Sequence, residues 1–163
     1  MKFQTAVKSG FQNYANFNGR ASRSAYWWFI LFSQIAQILA QSLHSSIGAI
    51  VSLACLIPII SVNARRLHDI GRSARWLFLP VASLVGALFA VIGLLMQTAQ
   101  SFENLNFDDL ISEGMQVWVW LFVGFMISAF ITSIVNFVFT LMPSEIGINK
   151  YGPPEPPVFV TEG

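Results

Sequence analysis

The fold follows from one stretch of sequence, Asn63-Ala-Arg-Arg-Leu-His-Asp-Ile-Gly-Arg-Ser-Ala-Arg75, which holds the densest cluster of charge in an otherwise apolar chain. On either side of it the chain stays apolar for about 20 residues, the length that a helix needs to cross a bilayer. The pattern therefore predicts a short cationic loop between two membrane-spanning helices. Such a loop fixes how the chain sits in a membrane, but it does not by itself define an activity.

The composition excludes an ordinary soluble domain. Of the 163 residues, 55% are hydrophobic and only 10% are charged, whereas a soluble domain carries roughly 25% charged residues. The single cysteine, Cys55, excludes a disulfide within the chain and a zinc site built from several thiolates. We therefore expect an all-α integral membrane protein of one domain.

Four transmembrane helices are predicted, at residues 25–43, 46–63, 76–96 and 117–141. Only His44 to Ser46 separate the first two, so these two must form an antiparallel hairpin, and we expect the last two to form a second hairpin. Pro58 should kink the second helix unless a neighbour satisfies the carbonyl that its missing N–H leaves free.

The segment before the first span, residues 1–24, predicts an amphipathic helix on the membrane surface. Phe3, Val7 and Phe11 recur at helical spacing, and polar residues fill the other face. The expected anchor of this segment is therefore the boundary between water and lipid.

The charges assign the two sides of the membrane. All nine basic residues fall before the first span, between the second and third, or after the fourth: Lys2, Lys8, Arg20, Arg23, Arg65, Arg66, Arg72, Arg75 and Lys150. The loop at residues 97–116 carries acidic residues and neither Lys nor Arg. Because cytoplasmic segments are enriched in Lys and Arg, we expect both termini, including the tail at 143–163, to be cytoplasmic, and the acidic loop to be external.

Polar residues mark one face of the first span and one position in the last. Gln34, Gln37 and Gln41 share a helix face, and Asn136 belongs to a stripe of small and polar residues in the fourth span. Amide side chains are costly against lipid tails, so this polar face should point into the helix bundle or into a wet cavity. Two interpretations stay open: hydrogen bonds between helices, or a path for a solute.

Three motifs carry a family resemblance: Phe17-Asn-Gly-Arg-Ala-Ser-Arg-Ser-Ala-Tyr-Trp-Trp, Ala64-Arg-Arg-Leu-His-Asp-Ile-Gly-Arg-Ser and Asn149-Lys-Tyr-Gly-Pro. With these motifs the chain resembles domain-of-unknown-function family 805, small bacterial inner-membrane proteins. The resemblance implies a bacterial inner-membrane location and a multi-pass topology. It implies no activity, because the family has none established.

The residues give little support for a pump or an enzyme. The four predicted spans contain no Asp, Glu, Lys or Arg, although ion-driven transporters place such residues within their spans. His44 and His68 fall at opposite ends of the spans, so they cannot share a metal or a substrate. We expect no catalytic site, no metal site and no cofactor.

The cationic residues and their neighbours are the candidate binding site: Arg20, Arg23, Arg65, Arg66, His68, Asp69, Arg72 and Arg75. A guanidinium group pairs with phosphate through two parallel hydrogen bonds. This favours a binding or accessory protein that holds anionic lipid headgroups or a partner. The partner would be a second copy or another membrane protein, and no nucleic acid is expected.

Two alternatives stay beside this interpretation. The arginines would only orient the chain if their charge alone matters. The polar face of Gln34, Gln37 and Gln41 would instead line a small oligomeric channel or solute facilitator.

Overall fold

The computed structural model describes residues 1–103 and 113–155, and within these ranges the chain is all-α. The helices are α1 (Phe3–Gln12), α2 (Arg23–Leu43), α3 (Ser45–Asp69), α4 (Phe78–Glu103) and α5 (Glu113–Leu141), with a 3₁₀ turn at Ala74–Leu77. The chain divides into two compact units. The first contains Met1–Ala74 together with the residues from Val138 onward, and the second contains Arg75–Phe137.

Three helical segments in the described ranges are long and apolar enough to cross a membrane: Ser45–Asp69, Ala74–Ser101 and Gly114–Leu141. They correspond to the second, third and fourth predicted spans. The first predicted span forms α2. This helix is long enough at 21 residues, but it is not apolar enough to be one of the three candidate spans. Its glutamines explain the difference, because each amide lowers the apolar character of the helix.

The predicted acidic loop at residues 97–116 is helical at both of its ends. Residues 97–103 continue α4, and residues 113–116 already belong to α5. The part of the loop at 104–112 lies outside the described residues.

The charged stretch is not a loop over its first half, which corrects the prediction. Helix α3 continues to Asp69, so Arg65 and Arg66 lie within it. Two residues after Asp69, Gly71 terminates the helix with a φ of +71°, a conformation that glycine adopts without strain. The Gly71 N–H donates to the His68 carbonyl, and the Arg72 N–H donates to the Leu67 carbonyl at 2.9 Å. This pair of bonds is a Schellman motif.

The helix predicted before the first span is present as α1, and part of its surface packs on α2. Gly10 lies so close to Phe29 that an added Cβ would be 2.1 Å from the phenylalanine ring. Phe11 makes edge-to-face contacts with Phe29 and Phe32, at centroid distances of 5.6 and 5.8 Å. Part of the apolar face that was predicted to meet lipid therefore meets protein instead, although Phe11 stays partly exposed.

A tyrosine satisfies the carbonyl that Pro58 leaves free in α3. Since proline has no N–H, the carbonyl four residues earlier, on Ala54, loses its helical partner. The Tyr14 hydroxyl donates to this carbonyl at 2.6 Å. One turn further along, the buried Ser61 hydroxyl contacts the carbonyls of Asn13 and Asn16 at 2.9 and 2.7 Å. The chain after α1 is thus fastened to α3 by side-chain hydrogen bonds.

The second unit brings α4 and α5 close at small residues. An added Cβ on Gly86 or Gly93 would clash with the ring of Phe125 or Trp118, respectively. The hydroxyls of Ser83 and Ser128 lie 3.0 Å apart. Small residues at such positions allow helices in a membrane to approach each other closely.

Candidate functional site

The end of α3 is built around a buried carboxylate between two arginines. The Arg20 Nε donates to Asp69 Oδ1 at 3.0 Å, and an Arg66 terminal nitrogen donates to Asp69 Oδ2 at 2.5 Å. The side chains of both arginines are 0% exposed and that of Asp69 is 1% exposed. Arg66 and Asp69 are three residues apart in α3, so the helix itself places them side by side.

The remaining donors of Arg66 hold the chain that follows α5. Its Nε donates to the Thr140 carbonyl at 3.2 Å, and its second terminal nitrogen donates to the Met142 carbonyl. These carbonyls belong to the last turn of α5 and the residue after it, where a helix leaves carbonyls without partners. Arg66 therefore caps the end of α5 and neutralises Asp69 at the same time.

Arg20 holds the next part of the tail in the same manner. Its terminal nitrogens donate to the carbonyls of Glu145 at 2.5 Å and Gly147 at 2.6 Å, and more weakly to those of Asp69 and Gly152. Every nitrogen of the Arg20 guanidinium is thus engaged within the protein. In this arrangement neither Arg20 nor Arg66 offers its guanidinium to an external phosphate.

His68 faces the tail through its ring. The imidazole stacks on Tyr151 with ring centroids 3.7 Å apart and planes 9° apart, and its Nδ1 lies 3.2 Å from the Gly19 carbonyl. The Asn149 amide donates to the His68 carbonyl at 2.9 Å and to the Glu145 carboxylate at 2.8 Å. The Arg-Arg-Leu-His-Asp motif therefore joins the segment around residue 20 to the tail.

Arg65 differs from its neighbour Arg66, because its buried Nε has no hydrogen-bond partner among the described residues. Arg65 is 4% exposed. It lines a cavity of about 310 Å³ within the first unit. The other lining residues are mostly polar: Ser9, Asn13, Asn16, Asn18, Gly19, Arg20, Tyr151, Pro153, Pro154 and Glu155.

The acidic residue of this cavity is engaged elsewhere. A Glu155 carboxylate oxygen accepts from the Ser22 N–H at 2.9 Å and from the Ser22 hydroxyl at 2.8 Å. Ser22 is the N-cap of α2, and its hydroxyl also accepts from the Ala25 N–H. Glu155 thus lies at a helix N-terminus, where a negative charge is stabilised, and leaves the Arg65 Nε without a partner.

The other predicted arginines are exposed. Arg23 and Arg72 lie on the surface of the first unit, with the Arg72 guanidinium 5.5 Å from the centroid of the Phe139 ring. Arg75 is exposed and belongs to the second unit. The structure therefore brings together Arg20, Arg65, Arg66, His68 and Asp69, but not the whole predicted set.

The predicted polar face of α2 is not inside this single chain. Gln34 and Gln41 are exposed and Gln37 is half-buried, although the Gln41 side chain also lies close to Gly48 of α3. Asn136 lies in the second unit, where its amide donates to the carbonyls of Trp76 and Thr132 at 3.0 and 2.9 Å. Its Oδ1 is buried without a partner in the described residues.

Sequence reasoning missed the tail residues as members of the site: Glu145, Asn149, Tyr151 and Glu155. The Asn149-Lys-Tyr-Gly-Pro motif was the signal for two of them, since it belongs to the family resemblance. The asparagines that line the cavity had no such signal. Within residues 1–103 and 113–155, no group of three or more His, Cys, Asp or Glu side chains is placed to hold a metal ion.

Known proteins resemble part of this chain. A family model described as "Protein of unknown function (DUF805)" matches residues 14–108. "Inner membrane protein YhaI" of Escherichia coli K12 is 31% identical over 88 residues, which are 50% of this chain and 75% of that protein. "Inner membrane protein YhaH" of the same strain is 33% identical over 92 residues, which are 50% of this chain and 76% of that protein.

A third relative is matched over less of its length. "Uncharacterized protein YiiR" of Escherichia coli K12 is 32% identical over 74 residues, covering 42% of this chain and 51% of that protein. No solved structure matches the chain. The match to the family model includes α2, α3 and the arginine cluster, whereas the Asn149 motif lies beyond it.

Proposed function

The chain belongs to the DUF805 family, and from this premise we propose that it is a multi-pass inner-membrane binding protein whose arginine-bearing end holds the anionic headgroup of a lipid. The family carries no assigned activity. The proposal therefore rests on the chemistry of the site in this chain.

In the proposed topology, α2 crosses the membrane together with the three apolar helices, as two hairpins with both termini cytoplasmic. The distribution of the nine basic residues supports this arrangement. Cysteine at Ser73 should then react with an impermeant thiol reagent only from inside, and cysteine at Ser112 only from outside, in a Cys55→Ser background. The opposite labelling pattern would overturn the topology.

The observation that carries the binding proposal is the buried Nε of Arg65, which has no hydrogen-bond partner among the described residues. A charged group removed from water needs compensating hydrogen bonds and an opposite charge. At the Arg65 Nε the described residues supply no acceptor, and a polar cavity of about 310 Å³ lies beside it. A phosphate has the charge and acceptor geometry that a guanidinium fork matches.

The surroundings of the cavity favour a lipid as the source of that phosphate. The cavity belongs to the unit in which the candidate span Ser45–Asp69 ends, so a headgroup there can keep its acyl chains in the bilayer. Arg23 and Arg72 are exposed in the same unit. Basic residues near an anionic leaflet contribute about 1 kcal/mol each to its attraction.

The test is the retention of phosphatidylglycerol, counted by native mass spectrometry after purification in mild detergent. We expect Arg65→Gln to lower retention roughly ten- to a hundredfold, because a hydrogen bond to a charged group contributes about 1.5–3 kcal/mol. Arg65→Lys should also lose affinity, since lysine lacks the planar fork. Glu155→Gln should gain affinity, because it removes a negative charge from the cavity.

Arg72→Gln is the matched control, since it removes an equal charge from an exposed position in the same unit. It should lower retention by about fivefold at most, because one exposed basic residue contributes about 1 kcal/mol to the attraction of an anionic leaflet. Equal retention by Arg65→Gln and wild type would show that the cavity holds no headgroup. A protein that co-purifies in place of lipid, and is lost in Arg65→Gln, would assign the site to an accessory subunit.

A second candidate function follows from the exposed amides of α2. If α2 crosses the membrane, Gln34 and Gln41 require a polar neighbour, which a second copy of the chain or a water-filled path would provide. Leucine at positions 34, 37 and 41 distinguishes the two. Dissociation of an oligomer would favour helix contacts, and loss of solute leakage through vesicles with an intact oligomer would favour a channel or facilitator.

A further inference from the structure

The tail after α5 presents two large apolar side chains that are almost fully exposed. Ile146 is 100% exposed and Ile148 is 81% exposed. They flank Gly147, whose φ is +81°. A pair of isoleucines fully in water is unfavourable, and the short segment that carries them is held in place by polar contacts on its other side.

Arg20 explains why these side chains point outward. Its guanidinium donates hydrogen bonds to the carbonyls of Glu145 and Gly147, the two residues on either side of Ile146. The Glu145 N–H also donates to the Asp69 carbonyl at 2.9 Å. The backbone polar groups therefore face the protein, and the isoleucine side chains face away from it.

The position of the segment identifies the surface that these side chains meet. The candidate span Gly114–Leu141 ends five residues before Ile146, and the contacts with Asp69 tie the segment to the end of the candidate span Ser45–Asp69. Leu141 and Met142 are also exposed, at 49% and 38%. Exposed apolar surface thus continues from the span towards the tail.

We propose that Ile146 and Ile148 insert into the lipid surface at the end of α5 and form a membrane anchor for the tail. The exposed Lys150 follows directly, which suits an anionic headgroup layer. Apolar side chains at such an interface reach about 5–10 Å into the boundary between headgroups and acyl chains. This anchor does not depend on the lipid site at Arg65.

The experiment attaches the fluorophore NBD to cysteine at Ile146, Ile148 or Lys150, each in a Cys55→Ser background. The full-length protein is reconstituted in vesicles of phosphatidylethanolamine and phosphatidylglycerol. We expect the labels at residues 146 and 148 to be quenched by lipids with a nitroxide near the headgroup, and to be protected several-fold from aqueous iodide. The label at Lys150, the matched polar position, should show the reverse preference.

Equal iodide quenching at residues 146, 148 and 150 would overturn the anchor. Protection from iodide that appears only in native membranes, and not in the lipid vesicles, would also overturn it and assign the isoleucines to a protein partner. Because both isoleucines are so exposed, thermal unfolding of the labelled proteins should stay close to that of the Cys55→Ser parent. If the labels at residues 146 and 148 are protected from iodide equally well in an Arg65→Gln background, the anchor is independent of the headgroup site at Arg65.

Discussion

Replacing Asp69 should destabilise the protein more than any exposed charge change, because it leaves two arginines buried without a counter-ion. The Asp69 carboxylate is the only side-chain acceptor of Arg20 and Arg66 in the described residues. Removing one partner from a buried ion pair costs about 3–5 kcal/mol. For a chain of this size, where 1 kcal/mol corresponds to roughly 2–4 °C, Asp69→Ala should lower the unfolding temperature by about 6–20 °C.

The assay is thermal unfolding in one detergent, followed by helical circular dichroism. Arg66→Lys should also be strongly destabilising, because one ammonium group cannot reach Asp69 and the carbonyls of Thr140 and Met142 together. Arg72→Lys is the matched control, and should change the unfolding temperature little. If the Asp69→Ala protein unfolds at the same temperature as the wild type, the ion pairs of Asp69 with Arg20 and Arg66 do not hold the tail on α3, and the argument is refuted.

Two further predictions concern the backbone of α3. Tyr14→Phe should lower the free energy of unfolding by about 1 kcal/mol, because it leaves the Ala54 carbonyl without a donor. The loss should be smaller in a Pro58→Ala background, where residue 58 regains its N–H. Thermal unfolding of the double-mutant cycle measures both losses, and equal values would contradict the prediction. Gly71→Ala should lower the free energy of unfolding by about 1–2 kcal/mol because of the positive φ at this position. Gly124→Ala is the control: an added Cβ there meets open space, so this change should be neutral or slightly stabilising. A Gly71→Ala protein as stable as the wild type would argue against the end of α3 at this glycine.

The helices could be predicted from sequence because long apolar runs have few other solutions in a bilayer. Their ends were less predictable. The end of α3 at Asp69 rather than Asn63 depends on partners distant in sequence, since Arg66 bonds to carbonyls more than 70 residues away. Neither hydropathy nor charge records such contacts, and both favour a loop wherever charges cluster.

The sequence identified the arginine cluster as a candidate site, but it did not show which of these arginines are used inside the protein. Sequence analysis left open whether the arginines bind a ligand or only orient the chain, and the structure gives Arg20 and Arg66 a further role in their contacts with Asp69 and the tail. The same result removes Arg20 and Arg66 from the surface that was expected to bind phosphate. Burial decides the matter, because both guanidinium groups are 0% exposed and each of their nitrogens already donates to a carboxylate or a carbonyl.

Arg65 and Arg66 should therefore respond in opposite ways to the same substitution. They are neighbours in sequence, but one residue turns a helix by about 100°, so Arg66 faces Asp69 and the tail while Arg65 faces the cavity. An unsatisfied buried polar group costs about 1–3 kcal/mol, and more if it is charged. In lipid-free detergent, Arg65→Met should thus leave the unfolding temperature unchanged or raise it, whereas Arg66→Met should lower it. Added phosphatidylglycerol should stabilise the wild type and not Arg65→Met, because only a protein that binds a ligand gains stability from it. If both methionine variants lost equal stability, Arg65 would be a structural residue like its neighbour.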